Sequence, residues 1–293
     1  MEASAITNIL LPLALGVIMF GLGLSLTVAD FRRVAVYPRA VVSGLLMQMV
    51  VLTSVAFGLA TLFGLAPELA VGFMLLAASP GGATANIFSH LARGDVALNI
   101  TLTAINSALS LLTLPLIVNW SLDHFLGQGQ YIPPPVGKVV EVAAIILLPV
   151  VVGMVVRGRA QGFALRMERP IRIFAVVVLA LLIAGAIVQE WKTIGPALAA
   201  VGVACLAFNL ISMAAGYGLP VAIKLPHRQA IAIAMEIGIH NGTLAIFIAL
   251  NVLESSPMSL APAIYSLIMF VTATIFIFIL SRRHTVDPAA ARA

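Results

Sequence analysis

The chain has 293 residues, 61% of them hydrophobic and 9% charged, with a net charge of +5 and a mean hydropathy of +1.12. An ordinary soluble domain is about 25% charged, so this composition excludes a soluble enzyme, a disordered chain and a nucleic-acid binder. A spanning helix needs roughly 20 apolar residues, and the apolar content predicts one all-α polytopic membrane domain over residues 1–293.

Nine apolar segments follow in chain order, at about 6–28, 40–64, 69–91, 95–120, 137–157, 171–190, 195–222, 229–253 and 260–280. Helix is the expected state of each, because lipid offers no water to backbone groups and the ten-residue alternation of a membrane barrel is missing. Glu2 but no Lys or Arg precedes the first segment, so it reads as a retained helix and not as a signal peptide. The stretch 121–136, with Gly-Gln-Gly-Gln-Tyr-Ile-Pro-Pro-Pro, reads as a linker between a first half of about 1–120 and a second of about 137–281. Residues 282–293 read as a cytoplasmic tail. Membrane lipid is the expected surrounding partner, and no obligate protein partner is indicated.

Charge sets the orientation. Arg32, Arg33, Arg39, Arg93, Arg157, Arg159, Arg166, Arg169, Arg172, Lys224, Arg228, Arg282, Arg283 and Arg292 all fall on one side of this arrangement, against Lys138 and Lys192 on the other. Positive charge is retained in the cytoplasm, which places the N-terminus outside and the C-terminus inside. The lone Cys205 excludes an intrachain disulfide. The sequence has no nucleotide-binding motif, GxSxG, HExxH or metal-type Cys/His spacing, so no enzyme is expected.

Two segments break their apolar pattern midway. The third contains Ser79-Pro80-Gly81-Gly82-Ala83-Thr84-Ala85-Asn86, and the eighth contains Glu236-Ile237-Gly238-Ile239-His240-Asn241-Gly242-Thr243. Proline lacks the donor a helix needs and glycine relaxes the backbone. The two segments lie an odd number of crossings apart, so they run in opposite directions. Paired broken helices in corresponding positions of two halves point to the site of a secondary transporter; unrelated kinks are the plainer alternative. Half-helix N-termini suit anions, whereas unwound carbonyls and side-chain oxygens suit Na⁺.

Glu236 is the one carboxylate well inside a segment. A charge at that depth costs about 2.5–3.5 kcal/mol, so it is expected to bind Na⁺ or H⁺, or else to be a neutral hydrogen-bonded group. His240 is either a structural donor or a functional group that titrates near neutrality. Asn99, Thr103 and Asn106 recur at i, i+4 and i+7, on one helical face. With Asn86 they supply oxygens for a hard cation or hydrogen bonds between helices. Gln48 is an isolated amide deep in the second segment.

These stretches together resemble the bile acid:sodium symporter family, in particular its bacterial members. The resemblance covers nearly the whole chain. It rests on Gly16-Val17-Ile18-Met19-Phe20-Gly21-Leu22-Gly23-Leu24, on Pro80-Gly81-Gly82 to Asn86 followed by His90-Leu91-Ala92-Arg93-Gly94-Asp95-Val96-Ala97-Leu98, and on Glu236-Ile237-Gly238-Ile239-His240-Asn241. The resemblance implies a core and a panel domain built from inverted repeats, with two crossed discontinuous helices. It implies one sodium site from Asn86, Thr103 and Glu236, with Ala85 and Asn99 at two positions that carry hydroxyls in relatives. It implies a second from Gln48, Glu236, the carbonyls of Ile237 and Ile239, and His240, where relatives often carry Gln. Substrate is expected at Thr84, Asn86 and Asn241. The function implied is Na⁺-coupled import of a small or amphipathic organic anion by alternating access, in a bacterial inner membrane. The alternative is a proton-coupled or exporting transporter of the same fold; an arsenite-type permease would use a thiol at a crossover helix, and Cys205 lies elsewhere.

Overall fold

The computed structural model describes residues 11–127, 136–189 and 194–284. Apart from one antiparallel bridge, between Gly81 and His240, the regular structure among the described residues is helical. Leu11–Ser25 forms α1 and Val28–Arg32 forms α2. Pro38–Leu62 forms α3, which passes through a π-helical turn at Met47–Leu52. Then follow α4 (Pro67–Ala78), α5 (Ala83–Leu91), α6 (Val96–Leu126), α7 (Val136–Arg159), α8 (Gln161–Gln189) and α9 (Ile194–Ala222). The last three are α10 (His227–Gly238), α11 (Gly242–Val252, its end π-helical) and α12 (Ser256–His284).

Among the described residues four stretches are long and apolar enough to cross a membrane: Pro38–Leu62, Val96–Leu126, Val201–Ala222 and Ser256–Leu280. The pair Pro12–Ser25 and Val28–Ala35, bent by 68°, makes a fifth if taken as one span. The bend interrupts the first predicted segment. Its cause is local: the Thr27 N–H and hydroxyl both donate to Asp30 Oδ2 at 2.7 Å, which starts α2 in a new direction. This is the reciprocal N-terminal signature of a fresh helix.

Other boundaries move outward. The expected loop from Arg157 to Arg172 is helical on both sides of Ala160, and the fourth segment runs on to Leu126 before Gly127 ends it at φ +60°. Charged residues mark where lipid ends, but Arg, Gln and Leu are good helix formers in water, so hydropathy understates helix length. Of the expected linker, Ser121–Leu126 is helical. Residues 128–135, Lys192, Glu2, Arg292 and the tail from 285 lie outside the described residues.

The two broken segments form the interior. Every residue of Leu69–Ala78 in α4 and of Ala230–Gly238 in α10 is buried, as is Gly242–Phe247 in α11. A helix apolar all round is one packed on all sides, and α3, α6, α9 and α12 supply those sides. Close approach relies on small residues: a Cβ on Gly72 would meet the Met258 carbonyl of α12, and one on Gly216 would meet Ala234 and Ile237 of α10. A second layer joins α1 to α7 and α8. There Gly23 lies against the Val150 carbonyl and Gly153 against the Phe20 carbonyl. Its outer face is apolar and exposed at Leu148, Val151, Val155, Ile173, Val177 and Leu181, as a lipid-facing surface would be.

Candidate functional site

The first break follows from Pro80. The Ser79 N–H closes the last turn of α4 on Leu76 at 3.0 Å, and Ser79 then turns extended at ψ 138°. Pro80 has no N–H to carry the helix further. The second break falls at Ile239 (φ −117°, ψ 89°), and α11 begins after Asn241, whose Oδ1 accepts the Leu244 N–H at 3.0 Å.

The two breaks meet. The Asn241 N–H donates to the Pro80 carbonyl at 2.9 Å, and the Gly82 N–H to the Ile239 carbonyl at 3.3 Å. This short antiparallel pairing satisfies backbone groups that both helices release at their interruptions. Buried orphans would otherwise cost free energy comparable to a lost hydrogen bond each.

Glu236 sits at this crossing, fully buried. Its Oε2 accepts the Thr103 hydroxyl at 2.6 Å and its Oε1 accepts the Asn106 amide at 3.1 Å. A Cβ on Gly81 would run into its carboxyl group, so the bare glycine backbone of the first break is what lets the carboxylate in. Asn99 donates to the Ala232 carbonyl at 2.7 Å. The three polar residues spaced along α6 thus all face α10. Their donors are taken, while the buried Oδ1 atoms of Asn99, Asn106 and Asn86 have no hydrogen-bond partner. A buried side-chain oxygen without a donor beside a carboxylate, as at Asn106, is the chemistry of a hard-cation site.

Gln48 and His240 form a contrasting cluster. Gln48 Nε2 donates to the Ala77 and Ser79 carbonyls, each at 3.1 Å. His240 Nδ1 lies 3.0 Å from the Ser79 carbonyl; a carbonyl only accepts, so Nδ1 carries a proton. The imidazole stacks on Phe208 with centroids 5.7 Å apart and meets Tyr265 edge-on at 5.4 Å. Here the unwound carbonyl is already occupied by N–H groups. The Gly238 carbonyl is likewise taken, by the Asn209 amide at 2.8 Å and the Tyr265 hydroxyl at 2.9 Å. Asn209 in turn accepts the Thr272 hydroxyl at 2.5 Å.

On the side facing α1 and α8 a cleft opens against the crossing. Gly82, Thr84, Asn241 and Thr243 line it, opposite Met19 and Val176. The first turns of α5 and α11 both border this cleft, so their free N–H groups and positive dipole ends lie close to it.

The structure therefore gathers Thr103 and Glu236 with Asn99 along one face, and Gln48 with His240 at Ser79. Thr84 and Asn241 share the cleft, whose lining does not include Asn86. The Ile239 carbonyl accepts the Gly82 N–H, and Ile237 is buried without exposure. Sequence reasoning missed Asn209, Tyr265 and Thr272. A signal was present for Asn209: it is an amide deep in an apolar segment, as Gln48 is. Asn106 was seen on the polar face but not placed at Glu236.

The family model described as the sodium bile acid symporter family matches residues 12–196. The uncharacterized sodium-dependent transporter YocS of Bacillus subtilis is 27% identical over 254 residues, covering 86% of this chain and 77% of that protein. The probable chloroplastic sodium/metabolite cotransporter BASS1 of Oryza sativa subsp. japonica is 28% identical over 232 residues, covering 79% of this chain but only 56% of that protein. The ileal sodium/bile acid cotransporter of Oryctolagus cuniculus is 25% identical over 281 residues, covering 94% of this chain and 79% of that protein.

Proposed function

The chain belongs to the sodium bile acid symporter family, whose members are membrane symporters and not enzymes, and from that membership and its own geometry we propose a Na⁺-coupled importer of a small or amphipathic organic anion. The observation that carries the reading is the crossing itself: two interrupted helices pair antiparallel beside a buried carboxylate. Broken helices of this kind hold ions and substrate between the repeats of secondary transporters.

Na⁺ is held at Glu236, with Thr103, Asn99 and Asn86 as the neutral oxygens around it. We place no ion between Gln48 and His240, because both direct N–H donors at the Ser79 carbonyl. The anion enters the cleft at Thr84 and Asn241, where the starts of α5 and α11 offer N–H groups. Nine membrane segments make two inverted halves. The buried helices with α3, α6, α9 and α12 act as the core, and α1, α7 and α8 as the panel that it moves against. The N-terminus lies outside a bacterial inner membrane.

The test is the unfolding temperature of purified protein titrated with Na⁺, with K⁺ holding ionic strength constant. A ligand at 100 times its Kd stabilises the folded state by about 2.7 kcal/mol. Stabilisation by Na⁺ in the wild type and not in Glu236→Gln supports the reading; no response to Na⁺ overturns it. Uptake of labelled carboxylates into proteoliposomes under an inward Na⁺ gradient then identifies the anion.

A further inference from the structure

The antiparallel pairing of the two breaks has a local two-fold axis. It sets Gly81 opposite His240, so three residues further on Thr84 corresponds to Thr243. Each threonine is the second residue of its half-helix: Thr84 follows the cap Gly82 into α5, and Thr243 follows the cap Asn241 into α11. Both line the same cleft.

The pairing also leaves their donors unused. Other threonines in the interior close on a carbonyl one turn back, as Thr101 does on Ala97 and Thr103 on Asn99. One turn back from Thr84 is Pro80, whose carbonyl accepts the Asn241 N–H. One turn back from Thr243 is Ile239, whose carbonyl accepts the Gly82 N–H. Thr243 is only 7% exposed, yet among the described residues neither its hydroxyl nor that of Thr84 has a hydrogen-bond partner. The N–H groups of both threonines are likewise without a carbonyl, as first-turn N–H groups are.

Two such pairs of donors, related by a two-fold axis, suit a ligand with two equivalent acceptors. A carboxylate is such a ligand: its two oxygens are equal and each accepts more than one donor. The wall around the threonines is uncharged and mostly apolar, with Met19 and Leu22 of α1, Val176 of α8 and Met269 of α12, and no Lys, Arg, Asp or Glu. A second negative charge would leave water there without a partner. The cleft encloses about 50 Å³, room for only a few water molecules.

We propose that Thr84 and Thr243 form a two-fold carboxylate clamp, each offering its hydroxyl and its N–H, and that the anion it takes is a compact monocarboxylate whose apolar end lies against Met19 and Met269. The clamp rests on the cleft being the anion's seat, as proposed above. It adds Thr243 as an equal partner of Thr84, and it adds the head group and its single charge.

The test is calorimetric titration of the purified full-length protein with isovalerate, hexanoate and succinate in Na⁺ buffer, for wild type, Thr243→Val, Thr84→Val and Thr243→Ser. The wild type is expected to bind isovalerate or hexanoate and not succinate. Each valine variant keeps the shape, loses a hydrogen bond to a charged group, and raises Kd at least about tenfold; Thr243→Ser restores wild-type binding. Thermal stabilisation by Na⁺ alone stays at the wild-type level in every variant, because the Glu236 carboxyl is bonded to Thr103 and Asn106, and that response also shows which variants fold. If Thr243→Val does not fold, Thr84→Val and Thr243→Ser decide alone. A Na⁺-stabilised wild type that binds neither monocarboxylate, that binds succinate as well as them, or whose binding survives both valine substitutions overturns the clamp and leaves the Na⁺ reading standing. A wild type that Na⁺ does not stabilise overturns both.

Discussion

The two interruptions at the crossing achieve the same geometry by different means. The first is written into the backbone. Pro80 cannot donate, Gly81 and Gly82 carry no side chain, and no side chain caps the start of α5. The second is held from outside. Ile239, His240 and Asn241 include neither Pro nor Gly, and the turn is maintained by Asn241 capping α11, by Asn209 and Tyr265 on the Gly238 carbonyl, and by His240 on Ser79. The second depends on α9, α12 and the first break, so it follows any movement of those helices.

The largest effect is expected where the two breaks share one group. Glu236→Gln keeps the shape, with Asn106 donating to the amide oxygen and the amide nitrogen donating to the Thr103 hydroxyl, which turns its own hydrogen to the Asn99 carbonyl, yet removes the charge that a cation needs. Na⁺-driven uptake is expected to be abolished, together with the roughly 2.7 kcal/mol of stabilisation expected at 100-fold excess over Kd; uptake and thermal unfolding measure the two losses.

Gly81→Ala strikes the first break. The added methyl group meets the Glu236 carboxyl, and overpacking of this kind costs about 1–3 kcal/mol. The unfolding midpoint should fall, and half-saturating Na⁺ should rise because the carboxylate is displaced. A Gly81→Ala protein with wild-type Na⁺ dependence would show that the glycine backbone is not what seats Glu236.

Asn209→Ala strikes the second break alone. It leaves the Thr272 hydroxyl without its side-chain acceptor and the Gly238 carbonyl with Tyr265 only, at a cost of about 1–2 kcal/mol. Here the midpoint should fall with little change in Na⁺ affinity at Glu236. The smallest effect is expected for Asn241→Ala, which removes a helix cap worth about 1 kcal/mol. Because Asn241 also lines the cleft, substrate KM should rise while Na⁺ dependence stays close to wild type.

Much of this site was legible before any coordinates. The spacing of Asn99, Thr103 and Asn106 placed them on one face, and Glu236 stood out because lipid tolerates no idle carboxylate. The position of Pro80 announced an interruption. What could not be read was which partner each polar group would find. Asn209 and Tyr265 are separated by 56 residues, and Gln48 and His240 by 192. No periodicity relates positions that far apart. The helix ends were also misjudged, as at Ala160, because hydropathy reports on lipid and not on helix formation.

Composition and local pattern alone thus determined that this chain is a helical membrane protein, that its third and eighth segments break midway, and that Glu236 needs a partner in lipid. These are properties of a single segment in a given solvent. Tertiary structure alone decided that the Ser79 and Gly238 carbonyls are filled by donors, while the Oδ1 atoms of Asn86, Asn99 and Asn106 have no hydrogen-bond partner. Hydrogen-bond satisfaction is a property of pairs, and the pairs exist only once α3, α6, α9, α10 and α12 have packed.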